Sequence, residues 1–262
     1  MNITIIGGGN LGSAIAEGLI ASGYCEAEQL TVTRRNTKSL QSLAVRGVRI
    51  MSDNHEAVKG AKVVILAVKP YNYQEILLDL KSSLDGAQHI LVSVVTGAWI
   101  HQLREAIGKK LPVLRAMPNT AIAIRQSMTC LSHADTNPEQ LALIQTIFDQ
   151  LGRTVIIDEK LMDAATVLGA CGTAFAMRYI RANIQGGIEI GFDAKTASLI
   201  AAQTVLGAAE LLLQTGSHPE AEIDKVTTPR GCTIAGLNEM EHQGFSSSLI
   251  KGISTSYEKI QK

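Results

Sequence analysis

Short apolar runs alternate with amphipathic stretches over the first 158 residues, and this alternation predicts strands and helices in turn. Asn2–Ile6 is a β-branched run ending in glycines, the pattern of a strand that feeds a turn. Leu11–Ser22 carries apolar residues at 11, 15, 19 and 20, one buried face of a helix that Gly23 stops. Leu30–Thr33 reads as the next strand and Lys38–Arg46 as a short helix, with a third strand ahead of Asn54. Ala61–Val68 is nearly continuous in Val, Ile, Leu and Ala, as expected of a central parallel strand covered on both faces. Pro70 closes it, and Tyr73–Leu84 places Ile76, Leu77, Leu80 and Leu84 on one helix face. Strands follow at Ile90–Val95, Pro112–Arg115, Met128–Leu131 and Thr154–Ile157, with helices at Ile100–Ile107 and Glu139–Leu151. This order predicts an α/β fold with a doubly wound, Rossmann-like sheet.

After about Asp158 the rhythm changes to helix after helix. Leu161–Ile190 is rich in alanine and glycine, which lets helices approach closely; its glycines predict breaks, since each weakens an isolated helix by about 1 kcal/mol. Thr196–Gln214, Ala221–Thr227, Cys232–Gln243 and Ser246–Ile260 complete an all-helical second part. The expected organisation is therefore 1–158 and 159–262. Ala164–Met177 and Thr196–Ala209 contain no formal charge, but both fall short of the ~20 apolar residues of a membrane span, so buried soluble helices are expected. The long uncharged stretches and many small residues of these helices suit a homodimer interface.

Composition narrows the partners. Of 262 residues, 46% are hydrophobic and only 4% aromatic, so the cores are aliphatic. Lys plus Arg and Asp plus Glu both number 24, a balance that argues against a nucleic-acid backbone binder. Cys25, Cys130, Cys171 and Cys232 form no CxxC pair, and the six histidines show no ligand spacing, so no metal site is expected. The absence of a basic-then-apolar leader and the dispersed thiols fit a cytoplasmic protein.

Gly7-Gly8-Gly9-Asn10-Leu11-Gly12 satisfies G-x-G-x-x-G directly between a strand and a helix. Gly7 permits the turn, Gly9 lets the backbone approach a pyrophosphate, and Gly12 permits close helix packing; Asn10 and Leu11 open the helix whose N–H groups meet the phosphate charge. At the end of the second strand an acidic residue would select NAD through its ribose. Thr33, Arg34, Arg35 and Asn36 stand there instead, a set suited to the 2′-phosphate of NADPH, with NADH the weaker ligand; a solvated basic turn is the alternative. Ala67, Val68 and Lys69 end the central strand on the ligand side of such sheets, where Lys69 is either a cofactor contact or a surface lysine. Met117-Pro118-Asn119 ends a later strand, and Asn54 is either an adenosine contact or the start of an Asx turn. In the second part, Thr228-Pro229-Arg230-Gly231-Cys232-Thr233 combines a rigid turn, hydroxyls and a helix start, which reads as a carboxylate site or as a simple cap.

These motifs together resemble the pyrroline-5-carboxylate reductase family, over essentially the whole chain. The resemblance rests on the glycine loop, Val68-Lys69-Pro70, Arg115-Ala116-Met117-Pro118-Asn119-Thr120 and Val226–Leu237. It implies a Rossmann domain followed by a helical dimerisation domain, with larger rings of dimers in some members and an active site near the dimer interface. It implies NADPH-dependent reduction of the cyclic imine of 1-pyrroline-5-carboxylate to L-proline. Asn54, Ala67–Lys69, Met117 and Asn119 would then contact cofactor. Thr228, Gly231, Cys232 and Thr233 would receive substrate, with Thr233 beside the imine nitrogen and Arg230 at the anion or the entrance. The chain departs from the family pattern at Ala121, where proline is usual, and at Arg230 and Cys232. It departs again at Gly169-Ala170-Cys171-Gly172-Thr173-Ala174-Phe175, where Ser-Gly-Ser-Gly-Pro-Ala-Tyr is usual. A reductase of another small imine or carbonyl acid, or a non-catalytic dinucleotide-binding regulator, are the alternatives.

Overall fold

A computed structural model describes residues 1–134 and 136–261. Two compact units are formed, Met1–Thr173 and Ala174–Lys262.

The first unit is an eight-stranded sheet. Its strands are β1 (Ile3–Ile6), β2 (Leu30–Thr33), β3 (Arg49–Met51), β4 (Val63–Leu66), β5 (Ile90–Ser93), β6 (Val113–Met117), β7 (Ser127–Ala134) and β8 (Gly152–Ile156). The helices between them are α1 (Asn10–Ser22), α2 (Gln41–Val45), α3 (Asn54–Val58), α4 (Tyr73–Asp79), α5 (Ile100–Ile107) and α6 (Pro138–Asp149). The sheet order is β3-β2-β1-β4-β5-β6-β7-β8. The first six strands are parallel, and every residue of β1, β2, β4, β5 and β6 is buried, as two-sided coverage requires. Ile5, Ile15, Val32 and Leu114 belong to the core on one face; Leu66, Leu77, Leu91 and Leu103 belong to the core on the other. The Rossmann-like expectation therefore holds, with one addition: β7 runs antiparallel to β6. The connection between them is only residues 118–126, whose single regular piece is a 3-10 turn at Thr120–Ile124. That is too short for the crossover a parallel return needs.

Element limits differ from the periodicity in instructive ways. The helix expected at 38–46 begins as a 3-10 turn, Thr37–Leu40, because the Asn36 side chain accepts from Lys38 N and starts the turn earlier. The short pair β3 and α3 is only weakly marked in sequence. Asp53, not Asn54, caps α3, accepting from His55 N at 2.8 Å and Glu56 N at 3.3 Å.

The last strand ends at Ile156, where the rhythm changes, yet compactness runs on to Thr173. The reason is that Met162 in α7 (Met162–Ala165) and Val167 just after it are buried against the sheet. Helical backbone continues through a π-helical segment, Thr166–Cys171, into α8 (Gly172–Glu189). Glycine-induced breaks do not occur; Gly169 is absorbed by the wider turn, and Gly186 and Gly187 lie within continuous helix.

The second unit continues with α9 (Ala194–Thr215), α10 (Pro219–Lys225), α11 (Cys232–His242) and α12 (Phe245–Ile260). Asp193 caps α9 by accepting from Lys195 N and Thr196 N, and Gly216 ends it at φ 66°. The helix thus extends beyond its uncharged stretch and, by length and composition alone, is long and apolar enough to cross a membrane.

Candidate active site

Between β1 and β4 the chain connections of the sheet diverge, and an open cleft of about 1110 Å³ lies there, at the carboxyl ends of the strands. Gly7, Gly8, Gly9, Asn10 and Leu11 form one side of it. Each glycine answers a different constraint. Gly7 has φ 107°, and a Cβ there would lie 2.5 Å from the Ala67 carbonyl oxygen. At Gly12 a Cβ would lie 2.1 Å from the Gly7 carbonyl oxygen, so this glycine packs beneath the loop and does not line the cleft. At Gly9 a Cβ would meet nothing within 4 Å, which leaves room for a ligand to approach the backbone. Gly8, unconstrained in the motif, is held by a tight fit against Leu40 and Val32.

Hydrogen bonds divide the loop further. Gly8 N donates to the Thr33 carbonyl oxygen at 2.7 Å, and Gly7 N to the same oxygen at 3.2 Å. Thr33 is buried and holds the loop as well as lining the cleft. Gly9 caps α1 without a side-chain bond, so the first-turn N–H groups of α1 are the donors left for a phosphate. Arg34 Nη1 donates to the Gly8 carbonyl oxygen at 2.8 Å, and Arg35 is exposed beside it; both line the cleft. Asn54, Ala67, Val68 and Lys69 line it too.

Met117 and Asn119 lie apart from that lining. Met117 is buried at the end of β6. The Asn119 amide accepts from Ala121 N at 3.0 Å and donates to the Gly169 carbonyl oxygen at 3.3 Å, bracing the π-helical segment. Sequence reasoning missed Ser52, Asn72, Glu75, Leu78, Asp79 and Thr96, which also line the cleft. They come from separate loops and one helix, and no local motif marks them. Arg115, in β6, is 2% exposed, pairs with Glu159 at 3.1 Å and lies 5.5 Å from the Trp99 ring centroid. Burial pushes the Cys130 thiol up, which favours its protonated form.

Thr228, Arg230, Gly231, Cys232 and Thr233 all lie in the second unit. Gly231 N donates to the Thr228 carbonyl oxygen at 2.9 Å, closing a turn with Pro229 and Arg230 at its centre. Arg230 adopts φ 60°, a conformation that favours glycine. A Cβ on Gly231 would lie 2.5 Å from Thr228 Oγ1, so the threonine hydroxyl dictates that glycine. Gly231 caps α11 without a side-chain bond, and Thr233 sits half-buried in the first helical turn among N–H groups that have no helical acceptor. Among the described residues, no group of three His, Cys, Asp or Glu gathers to hold a metal.

Residues 2–97 match the family model described as NADP oxidoreductase coenzyme F420-dependent, and residues 159–262 that of pyrroline-5-carboxylate reductase dimerisation. Pyrroline-5-carboxylate reductase 2 of Dictyostelium discoideum is 44% identical, over 100% of this chain and 92% of that protein. The chain belongs to the pyrroline-5-carboxylate reductase family. Pyrroline-5-carboxylate reductase 1 of the same organism is 47% identical over 98% of this chain, which spans 49% of that longer protein. The solved pyrroline-5-carboxylate reductase of Coxiella burnetii superposes with a TM-score of 0.92 at 29% identity, over 99% of this chain and 97% of that one.

Some of the departures from the reductase pattern fall at features of local geometry. The family's usual glycine at position 230 suits the positive φ that Arg230 adopts here. The Gly169–Phe175 stretch spans the end of the π-helical segment and the start of α8, where Thr173 Oγ1 donates back to the Gly169 carbonyl oxygen at 3.4 Å. Ala121 in place of proline keeps an N–H, which donates to the Asn119 side chain at 3.0 Å, a bond proline cannot make.

Proposed function

We propose that this chain reduces the cyclic imine 1-pyrroline-5-carboxylate to L-proline, with NADPH as hydride donor. The carrying observation is a glycine-loop cleft in the part that matches an NADP oxidoreductase, joined in one chain to a segment that matches the reductase dimerisation model. Family membership supports an oxidoreductase of this type that binds a dinucleotide. In this reading residues 1–158 hold the dinucleotide and 159–262 provide the homodimer and the substrate loop. The cytoplasmic assignment draws on four free cysteines, as a reducing compartment would leave them.

The cleft fits the dinucleotide on three counts: its volume, the open space over Gly9, and the α1 N-terminus directed at a phosphate. The arginines at the end of β2 favour the 2′-phosphate, so NADPH is the preferred form; replacing Arg34 with alanine erases the preference over NADH in direct titration. When bound, the cofactor supplies a hydride to the electrophilic imine carbon. The α11 N–H groups bind the substrate carboxylate, and Thr233 orients the ring nitrogen by a hydrogen bond. Its hydroxyl is too weak an acid and base to act as an ionised catalyst at neutral pH, and a protonated imine makes a strong side-chain acid unnecessary.

The deciding experiment follows NADPH oxidation with 1-pyrroline-5-carboxylate and identifies the product. Proline formation is expected. Turnover only with another imine or carbonyl acid would reassign the substrate, and NADPH binding without oxidation would leave a non-catalytic dinucleotide-binding regulator.

A further inference from the structure

The lining of the cleft draws on two helices that share no strand. One carries Asn54, the first residue of α3; the other carries Leu78 and Asp79 at the end of α4. His55, next to Asn54, reaches across. Its Nε2 lies 3.1 Å from Asp79 Oδ2 and its Nδ1 lies 2.8 Å from Ser83 Oγ. The backbone at His55 is fixed as well, since its N–H donates to the Asp53 cap at 2.8 Å.

Hydrogen-bond roles follow from the partners. A carboxylate only accepts, so Nε2–H donates to Asp79, while Nδ1 and the Ser83 hydroxyl share the second hydrogen bond. Both ring nitrogens are thereby engaged, and the three residues link α3 to the end of α4 and the turn beyond it. The histidine and aspartate side chains are 38% and 62% exposed, so this chain adds little to global stability. Its effect is geometric. Leu78, 64% exposed, presents bare aliphatic surface in the cleft, and Asn54 presents an amide. A flat heteroaromatic ring needs such a pair, an apolar face to lie on and a polar group at its edge.

We infer that His55, through Asp79 and Ser83, is a positioning residue that sets the gap between Asn54 and Leu78 in which the adenine of the dinucleotide is held. The inference rests on the dinucleotide reading of the cleft. The strap acts beside Asn54 and Leu78 alone, so its loss weakens cofactor capture and spares the chemical step.

The test titrates the full-length protein with NADPH and with adenosine 2′,5′-bisphosphate, which carries only the adenosine half. In His55→Ala, Kd for both probes is expected to rise about fivefold to 20-fold, the effect of one or two lost hydrogen bonds. The KM for NADPH rises with them, while kcat at saturating NADPH falls less than about twofold. Ser83→Ala, which keeps the Asp79 contact, gives a rise of about twofold to threefold. A merely structural defect behaves differently, lowering the number of titratable sites and kcat together without changing Kd. Unchanged Kd for both probes in a fully titrating His55→Ala protein overturns the inference. Should that variant fail to fold, unchanged Kd in both Ser83→Ala and His55→Gln overturns it equally. Wild-type protein that binds neither probe fails earlier, at the dinucleotide reading, and the inference falls with it.

Discussion

The two units use the same aliphatic residues to opposite ends. In the first, crossover helices cover both faces of the sheet, and five strands have no residue open to solvent. In the second, α8, α10, α11 and α12 bury no residue and α9 buries only Ala197 and Ala201. Leu199, Leu206 and Leu213 recur every seventh position along α9 and are 70%, 59% and 54% exposed. Burial of a Leu side chain is worth about 1.5–3 kcal/mol, so a helix that leaves these three and Leu211 in water is incomplete as a single chain. A sheet with crossovers closes its own core, whereas an open array of helices must find a second layer, and the match to a dimerisation model says where that layer comes from.

The sharpest way to break this contrast is a pair of charge insertions. Ile65→Glu, at a position with 0% exposure, should cost about 3–5 kcal/mol and leave no folded dinucleotide-binding unit. Leu199→Glu with Leu206→Glu should leave NADPH binding intact but convert the dimer to a monomer of greatly reduced activity. Sedimentation across dilution and an NADPH titration read both results; a stable dimer carrying both glutamates would refute the assigned interface.

A second pair lies within the glycine loop. Gly12→Ala forces a methyl group into the Gly7 carbonyl oxygen and should remove dinucleotide binding and lower Tm. Gly9→Ala meets no protein atom, so Tm should hold while Kd rises about 10-fold to 100-fold, the result of steric exclusion of the ligand. Equal Tm losses in the two variants would count against the separate roles.

In the second unit, Thr233→Ala should lower kcat/KM by roughly 10-fold to 1000-fold, about 1.4 to 4 kcal/mol, with NADPH affinity unchanged. Unaltered kcat/KM would remove that hydroxyl from the mechanism. A smaller effect is expected from Arg230→Gly. Glycine relieves the φ 60° conformation, worth about 1 kcal/mol, so Tm should not fall. The KM for the imino acid should rise, more at low ionic strength, if the guanidinium meets the carboxylate. The same KM at both salt concentrations would make Arg230 an entrance residue.

The smallest effect concerns pH. Hydrogen bonds from Thr196, then from the Lys195 backbone, lower the Asp193 carboxyl pKa at the start of α9. A lowered folded-state value means that its contribution to stability is present above the ordinary carboxylate range and disappears as pH falls through the lowered value. Asp193→Asn keeps a cap but should flatten that acid limb in thermal denaturation followed from neutral to acidic pH; an identical limb in both proteins would show that other carboxylates set it.

Much of the first unit was legible because its signals are local. A β-branched run, three spaced glycines and an apolar helix face lie within residues 2–22, and each is dictated by backbone geometry or by covered faces. The helices of the second unit were legible for the same reason. The reversed β7 was not, since its direction depends on the length of a connection whose ends are known only once the strands are placed. Arg115 read as part of a strand end, and its burial became intelligible only with Glu159 and Trp99 in contact. The Asn119 amide bonds to Ala121 and Gly169, and the second partner, 50 residues away, has no local signal.

The sequence by itself determined the order of elements, the glycine loop with its arginine pair, and the hydroxyl-rich turn before α11. These are nearest-neighbour properties, set by φ preferences, hydrophobic period and charge. Tertiary structure alone decided which side chains share the cleft, since Ser52, Leu78 and Thr96 become neighbours only when parallel strands bring their carboxyl ends to one side. It also decided that Gly12 serves packing while Gly9 faces open space, because steric contact depends on atoms far apart in the chain as well as on local conformation.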